Sequence, residues 1–140
     1  MLDKQDWPLK QTGLNFIILD AASSIGDSWR RRYESLHLFT PRMYDGLSGM
    51  PIEGDQNGLP SKDEIANYLD SYAKKMDLPV KLECLIKRLW KDGNFKAETT
   101  EGIFEARNII VATGPYHVKI LRPFPIHCRR MLPSYTLQST

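Results

Sequence analysis

Apolar positions along the chain fall into two short runs, one helical stripe and several alternating stretches. Residues 14–19 read LNFIIL. That length and Phe/Ile content predict a strand, with apolar side chains on both faces as in a buried parallel sheet. Just before it, Lys10-Gln11-Thr12-Gly13 predicts the last turn of a helix closed by a C-cap glycine. The chain is thus expected to begin inside a helix. Residues 20–28 are small and polar, a loop, and residues 29–33 are basic and aromatic. Residues 36–60 carry Pro41, Gly46, Gly49 and Pro51 and predict an irregular excursion.

Residues 61–76 give the strongest helical signal. Ser61 and Glu64 are spaced as a capping box, the hydroxyl accepting from the Glu amide and the carboxylate reaching back. Ile65, Tyr68, Leu69, Tyr72 and Met76 then fall on one stripe, and Pro79 prevents continuation. Val80, Leu82, Cys84 and Ile86 alternate as in a strand. Turn signals at Asp92-Gly93 and Glu101-Gly102 bracket the alternation of Phe95, Ala97 and Thr99, and a further segment follows over residues 103–107. These predict a three-stranded antiparallel meander. Residues 108–112 (NIIVA) are a second short apolar strand, ending in Thr113-Gly114-Pro115. The order of elements suits a doubly wound α/β domain with an antiparallel insert.

Length and composition narrow the class. A chain of 140 residues with 41% hydrophobic residues has room for one small packed domain or part of a larger one. A net charge of +2 argues against a strongly basic nucleic-acid domain. Two cysteines, Cys84 and Cys128, make no disulfide framework and fit a reducing compartment. No apolar run has a spanning length, and the first ten residues lack the order of a signal peptide. A cytoplasmic chain with neither nucleic-acid nor membrane partner is the expectation. Charge is uneven: all acidic residues precede His117, after which only Lys119, Arg122, Arg129 and Arg130 are charged. With Pro123, Pro125 and Pro133 among them, residues 117–140 read as a Pro/Arg-rich, poorly ordered tail.

Candidate chemistry is sparse. Asp20 ends the first apolar strand, where a fixed carboxylate can take both hydroxyls of a ribose; it also reads as a turn-forming Asp. No G-x-G-x-x-G precedes it. The run Ile25-Gly26-Asp27-Ser28-Trp29-Arg30 offers a glycine turn, an aromatic and a cation that suit a flavin and its phosphates, or equally a surface loop with Trp29 in the core. Ala112-Thr113-Gly114 lets a ligand approach at a strand's carboxyl end, or is an ordinary turn. His37, His117 and His127 have no metal-ligand spacing with the cysteines, so no metal site is expected. Neither a G-x-S-x-G nor a Walker A sequence occurs.

Three blocks taken together, FIILDAASSIGDSWRRRYESLHLFTPRMYDGLSGMPI, LPSKDEIANYLDSYAKKMDLPVKLECLIKRL and EARNIIVATGPYHV, resemble bacterial group B flavin-dependent monooxygenase-like flavoproteins. Flavin-containing monooxygenases, Baeyer–Villiger monooxygenases, plant YUCCA enzymes and bacterial NAD(P)-binding oxidoreductases belong to that group. The resemblance covers residues 9–117. It implies that residues 1–116 are a partial FAD-binding, Rossmann-like domain without its first β-strand and Gly-rich loop, and without the NADPH domain. Asp20 would hold the adenosine ribose of FAD. Ser28, Trp29 and Arg30 would lie along its pyrophosphate and isoalloxazine, and Thr40 would face the flavin. Ile86 would offer backbone groups to the adenine. Ala112, Thr113 and Gly114 would pass the FAD and lead toward the NADPH domain. No catalytic acid or base is identified.

The resemblance further implies that a complete relative uses NADPH and FAD to oxygenate a small-molecule substrate through a peroxyflavin. This chain would be a truncated fragment, inactive alone. Two other readings stay open: a non-catalytic flavin- or nucleotide-binding module, and a vestigial α/β domain. The oligomeric state is not legible.

Overall fold

The computed structural model describes residues 11–113. Gly13 lies at φ 70° just after a helical residue, as a C-cap glycine should. Two strands then form a parallel pair. β1 (Ile18–Leu19) lies beside β2 (Val80–Lys81), with Ile18 opposite Val80 and Leu19 opposite Lys81. Parallel neighbours need a long crossover. Here it carries three helices: α1 (Asp27–Arg30), α2 (Arg42–Asp45) and α3 (Lys62–Lys75). The result is a βαβ unit followed by an antiparallel meander, β3 (Ile86–Asp92), β4 (Asn94–Thr99) and β5 (Gly102–Ala106), in the order β3-β4-β5.

α3 organises the crossover. Ser61 caps it: its hydroxyl accepts from the Glu64 amide, and the Glu64 carboxylate accepts from the Ser61 amide at 2.8 Å. The apolar stripe is buried as its spacing predicts, with Ile65, Tyr68, Leu69, Tyr72 and Met76 joining Ile52 in the core. Ile25, Trp29, Leu38, Leu47, Met50 and Leu78 pack around them. Two tyrosines fix the excursion to this helix. The Tyr68 hydroxyl accepts from the Leu47 amide at 2.7 Å and donates to the Met50 carbonyl at 2.5 Å. One helical turn on, the Tyr72 hydroxyl donates to the Ser48 carbonyl at 2.9 Å. The tight turn 47–50, with Gly49 at φ 82°, is thereby held at both ends and in its middle.

Arg42 does the same for residues 54–58. Its guanidinium bonds the Glu64 carboxylate and the Asp55 carbonyl, while its amide donates to the Gly58 carbonyl. A Cβ at Gly58 would stand 2.6 Å from Arg42 Nη1, so a side chain there displaces the guanidinium. Gly26 has a comparable task. It starts α1 at φ 81°, and a Cβ there would meet the Ala66 carbonyl oxygen at 2.7 Å, so α1 approaches α3 backbone to backbone.

Several expectations are corrected. The run 14–19 forms a ladder only over Ile18–Leu19, and Leu14 and Ile17 are exposed. Among the described residues β1 has one ladder neighbour, and Ile18 and Leu19 are half-buried and not enclosed. The run 108–112 forms no strand. Ile110 and Val111 are 56% and 69% exposed, because apolar character without a ladder partner does not hold a strand in water. The alternation at 80–86 is also broken. Glu83 turns the chain at φ 56°, and its amide and that of Cys84 donate to the Ala22 and Asp20 carbonyls, both at 2.9 Å. β2 therefore stays with β1, while β3 leaves for the meander. Residues 20–28 are a loop only up to Gly26, after which α1 forms. Both meander turns fall where the Asp-Gly and Glu-Gly signals put them, with Gly93 at φ 69° and Gly102 at φ 118°. No helix among the described residues is long and apolar enough to cross a membrane. The expectation of a poorly ordered tail over 117–140 lies outside the described residues.

Three outcomes are expected. Tyr68→Phe leaves the Leu47 amide and Met50 carbonyl without their partner and should cost about 2 kcal/mol; Tyr72→Phe, which frees one carbonyl, should cost about 1 kcal/mol. Urea denaturation of the two variants checks this order. Gly26→Ala forces a left-handed alanine against Ala66 and should destabilise by about 2–4 kcal/mol on the same measurement. The third concerns acid. The Ser61 amide bond, then the Arg42 guanidinium, hold the Glu64 carboxyl at about 2 against an ordinary 4.5. A depressed carboxyl stabilises the fold above its unfolded value and loses that contribution as pH falls toward the folded one. Because Glu64 is half exposed, solvent screening reduces the effect to about 1 kcal/mol. The gap in denaturation midpoint between the unaltered chain and Glu64→Gln should therefore be open at neutral pH and narrow as pH falls below 4.5.

Candidate functional site

Asp20 stands at the carboxyl end of β1, at the start of the crossover, which is where parallel α/β sheets place ligands. Its backbone is held from both sides. The amide donates to the Lys81 carbonyl at 3.0 Å, and the carbonyl accepts from the Cys84 amide at 2.9 Å. The side chain is half-buried, and Oδ1 accepts from the Ala22 amide at 2.9 Å. The carboxylate is thus oriented by an Asx turn. Both readings of this residue, turn former and acceptor at a strand end, describe the same geometry.

Ser28, Trp29 and Arg30 all lie on α1 and are half-buried. Trp29 packs against the core, as the plainer reading had it. It also walls a pocket of about 170 Å³ with Leu38, Leu47, Ile65, Tyr68 and Leu69, and Asp45 completes the lining. Arg30 turns its guanidinium to the Ile25 carbonyl at 2.6 Å and the Asn67 side chain at 3.2 Å. It thereby ties α1 to α3. Thr40 donates to Asp45 Oδ1 at 2.5 Å. Ile86 opens β3, just beyond the bend joined to Asp20, and is 45% exposed. Ala112 is half-buried and Thr113 exposed, both outside any strand, and Gly114 lies outside the described residues.

The structure therefore brings these residues together in two groups. Asp20 and the bend before Ile86 share the end of the parallel pair. Trp29 and Arg30 make the α1–α3 contact with Ser28 beside them on α1, and Thr40 adjoins it through Asp45 in the pocket wall.

Sequence reasoning passed over Lys62, Arg42 and Asp45. Lys62 is 8% exposed, and its ammonium donates to the Arg30 carbonyl at 3.0 Å, closing the end of α1. Its position directly after the helix cap gave no sign of burial. Arg42 and Asp45 lie in a segment without periodicity. Burial pushes the Tyr68 hydroxyl above its ordinary value, so it stays protonated and able to donate.

Known proteins resemble this chain in sequence and in fold. The chain is 46% identical over 117 residues to an uncharacterized CzcO-like oxidoreductase of Geobacillus kaustophilus, a match covering 83% of this chain and 34% of that protein. Against the indole-3-pyruvate monooxygenase YUCCA6 of Arabidopsis thaliana it is 27% identical over 116 residues, covering 76% of this chain and 27% of that one. It spans about a third of the length of the bacterial relatives it matches. Among solved structures, the flavin-containing monooxygenase of Stenotrophomonas maltophilia superposes with a TM-score of 0.69 at 31% identity, over 74% of this chain and 32% of that one. OTEMO, in complex with FAD and NADP, shares the fold at a TM-score of 0.68 and 22% identity, over 80% of this chain and 23% of that one. The βαβ unit and meander are thus an α/β fold shared with part of these monooxygenases. The model of the family described as pyridine nucleotide-disulphide oxidoreductase matches residues 7–138, and a match running through nearly the whole sequence makes this chain a member of that family.

Proposed function

We propose that the chain is part of an FAD- and NADPH-dependent oxidoreductase of the monooxygenase type, and that its share of the work is to hold the adenosine end of the flavin. One observation carries this reading: Asp20 is a half-buried carboxylate oriented at the carboxyl end of a parallel strand, at the head of a βαβ crossover. A carboxylate fixed there accepts from two vicinal ribose hydroxyls. The residues present fit the ribose end of FAD. For the pyrophosphate, the sequence contains no G-x-G-x-x-G turn to cradle it. The names of the relatives and neighbours, oxidoreductases and flavin monooxygenases, support the same assignment.

When bound, FAD reduced by NADPH supplies the electrons that activate oxygen toward a carbon, nitrogen or sulfur centre of a small substrate. The residues of this chain bind and position. Asp20 takes the ribose, and the bend at residues 83–84 brings the backbone around Ile86 toward the adenine. α1 carries Ser28, Trp29 and Arg30 along the flavin, with Thr40 on the neighbouring loop. Ala112, Thr113 and Gly114 continue past it. The buried free thiol of Cys84 suits a cytoplasmic setting.

A second reading rests on the bond from the Ala22 amide to Asp20, which gives the carboxylate a structural task as a turn former. Asp20→Asn separates the two, because an amide oxygen still closes the turn while the charge is lost. Titration of the purified chain with FAD, followed by flavin fluorescence, should show binding weakened roughly tenfold or more in Asp20→Asn, with an unchanged melting midpoint. Equal FAD binding by both proteins would leave the turn-forming role and remove the ligand-binding one.

A further inference from the structure

We infer that β5 is an interface: it pairs antiparallel, across a two-fold axis, with β5 of a second copy of this chain. Among the described residues the meander ends in two strands without an outer neighbour, β3 and β5. Unpaired strand edges invite pairing unless they are blunted. β3 is blunted. It carries Lys87, Arg88 and Lys91, and its register breaks between Ile86 and Arg88. β5 has no proline, no lysine and no break in register, and its Ile103 is 65% exposed.

The register shows which groups β5 offers. Thr99 and Gly102 close a two-residue turn and exchange backbone bonds, as do Ala97 with Phe104 and Phe95 with Ala106. The amides and carbonyls of Ile103 and Glu105 therefore face outward, and those of Arg107 do so once the strand runs one residue further. Charge then selects the partner. Glu105 and Arg107 are both exposed, and Arg107 has no ion-pair partner among the described residues. An axis through Ala106 sets Glu105 of each copy opposite Arg107 of the other, and Ile103 opposite Ile109. Opposite charges and apolar pairs across an antiparallel ladder stabilise it, while like charges oppose it. An axis through Glu105 or Arg107 sets like charges together, and one through Phe104 sets Ile103 against a carboxylate. Ala106 itself then falls at a close, non-hydrogen-bonded pair, where its small side chain lets the two backbones approach. The edge is thus complementary to itself. Pairing joins the two meanders into one sheet of six strands, three from each copy, and occupies both β5 edges, so assembly stops at two chains. This inference is independent of flavin binding.

Sedimentation equilibrium of the full chain over a series of loading concentrations tests it. The mean mass should rise from one chain toward two and no further. Arg107→Glu sets a second carboxylate opposite Glu105 and should weaken the dimer roughly tenfold or more. Adding Glu105→Arg to it reverses the pair and should restore the dimer. Ile103→Lys disturbs no bond to β4, should also weaken association, and decides the matter where the charge reversal fails to fold by circular dichroism. A single chain at every concentration would overturn the proposal, as would growth beyond two chains. A dimer indifferent to Arg107→Glu and Ile103→Lys would remove β5 as its site. A folded charge-reversed chain that stays monomeric would overturn the Glu105–Arg107 register.

Discussion

Two phenol hydroxyls one turn apart on α3 are the constraint on which this structure depends. The excursion between β1 and α3 has little regular structure, so few of its backbone groups find partners in a helix or ladder. Buried amides and carbonyls without partners are costly. Tyr68 and Tyr72 supply partners for Leu47, Ser48 and Met50, while their rings, 6.2 Å apart, fill the core. Each tyrosine thus works at both ends, apolar in the body and polar at the tip. Arg42, joined to the helix cap through Glu64, gives the neighbouring loop the same kind of anchor.

What could be read in the sequence follows from this. α3, its cap and its stripe were legible because they depend on local spacing alone. The meander turns were legible because Gly93 and Gly102 stand where positive φ is needed. Short apolar runs were less so. The runs at 14–19 and 108–112 read alike, yet only Ile18–Leu19 pairs, since pairing depends on a neighbouring strand and not on composition. The bend at Glu83 was hidden in a regular alternation because it is set by carbonyls of the distant loop at residues 20–22.

The candidate site shows the same division. Asp20 was singled out from its place after a strand, and residues 28–30 from a glycine followed by an aromatic and a cation, while the helix α1 that carries them was not foreseen. The hidden residues were those whose role is a tertiary contact. Lys62 looks like an ordinary surface cation on a helix, and Asp45 like a loop residue. Only the tertiary contacts show that the Lys62 ammonium is enclosed at the end of α1 and that Asp45 Oδ2 is buried.

The backbone bonds that hold Asp20 have a kinetic consequence. Its partners, Lys81 and Cys84, come from the far side of the whole crossover. Local structure such as α3 can form quickly, but contacts between distant parts of a chain must wait for loop closure. The Asx turn that orients the carboxylate is local, but the strand end that carries it is set late. A partly folded population can already show its full helical signal while the end of β1 at Asp20 still lacks its place beside β2, so helix content and closure of the βαβ unit should be reached at different times during refolding.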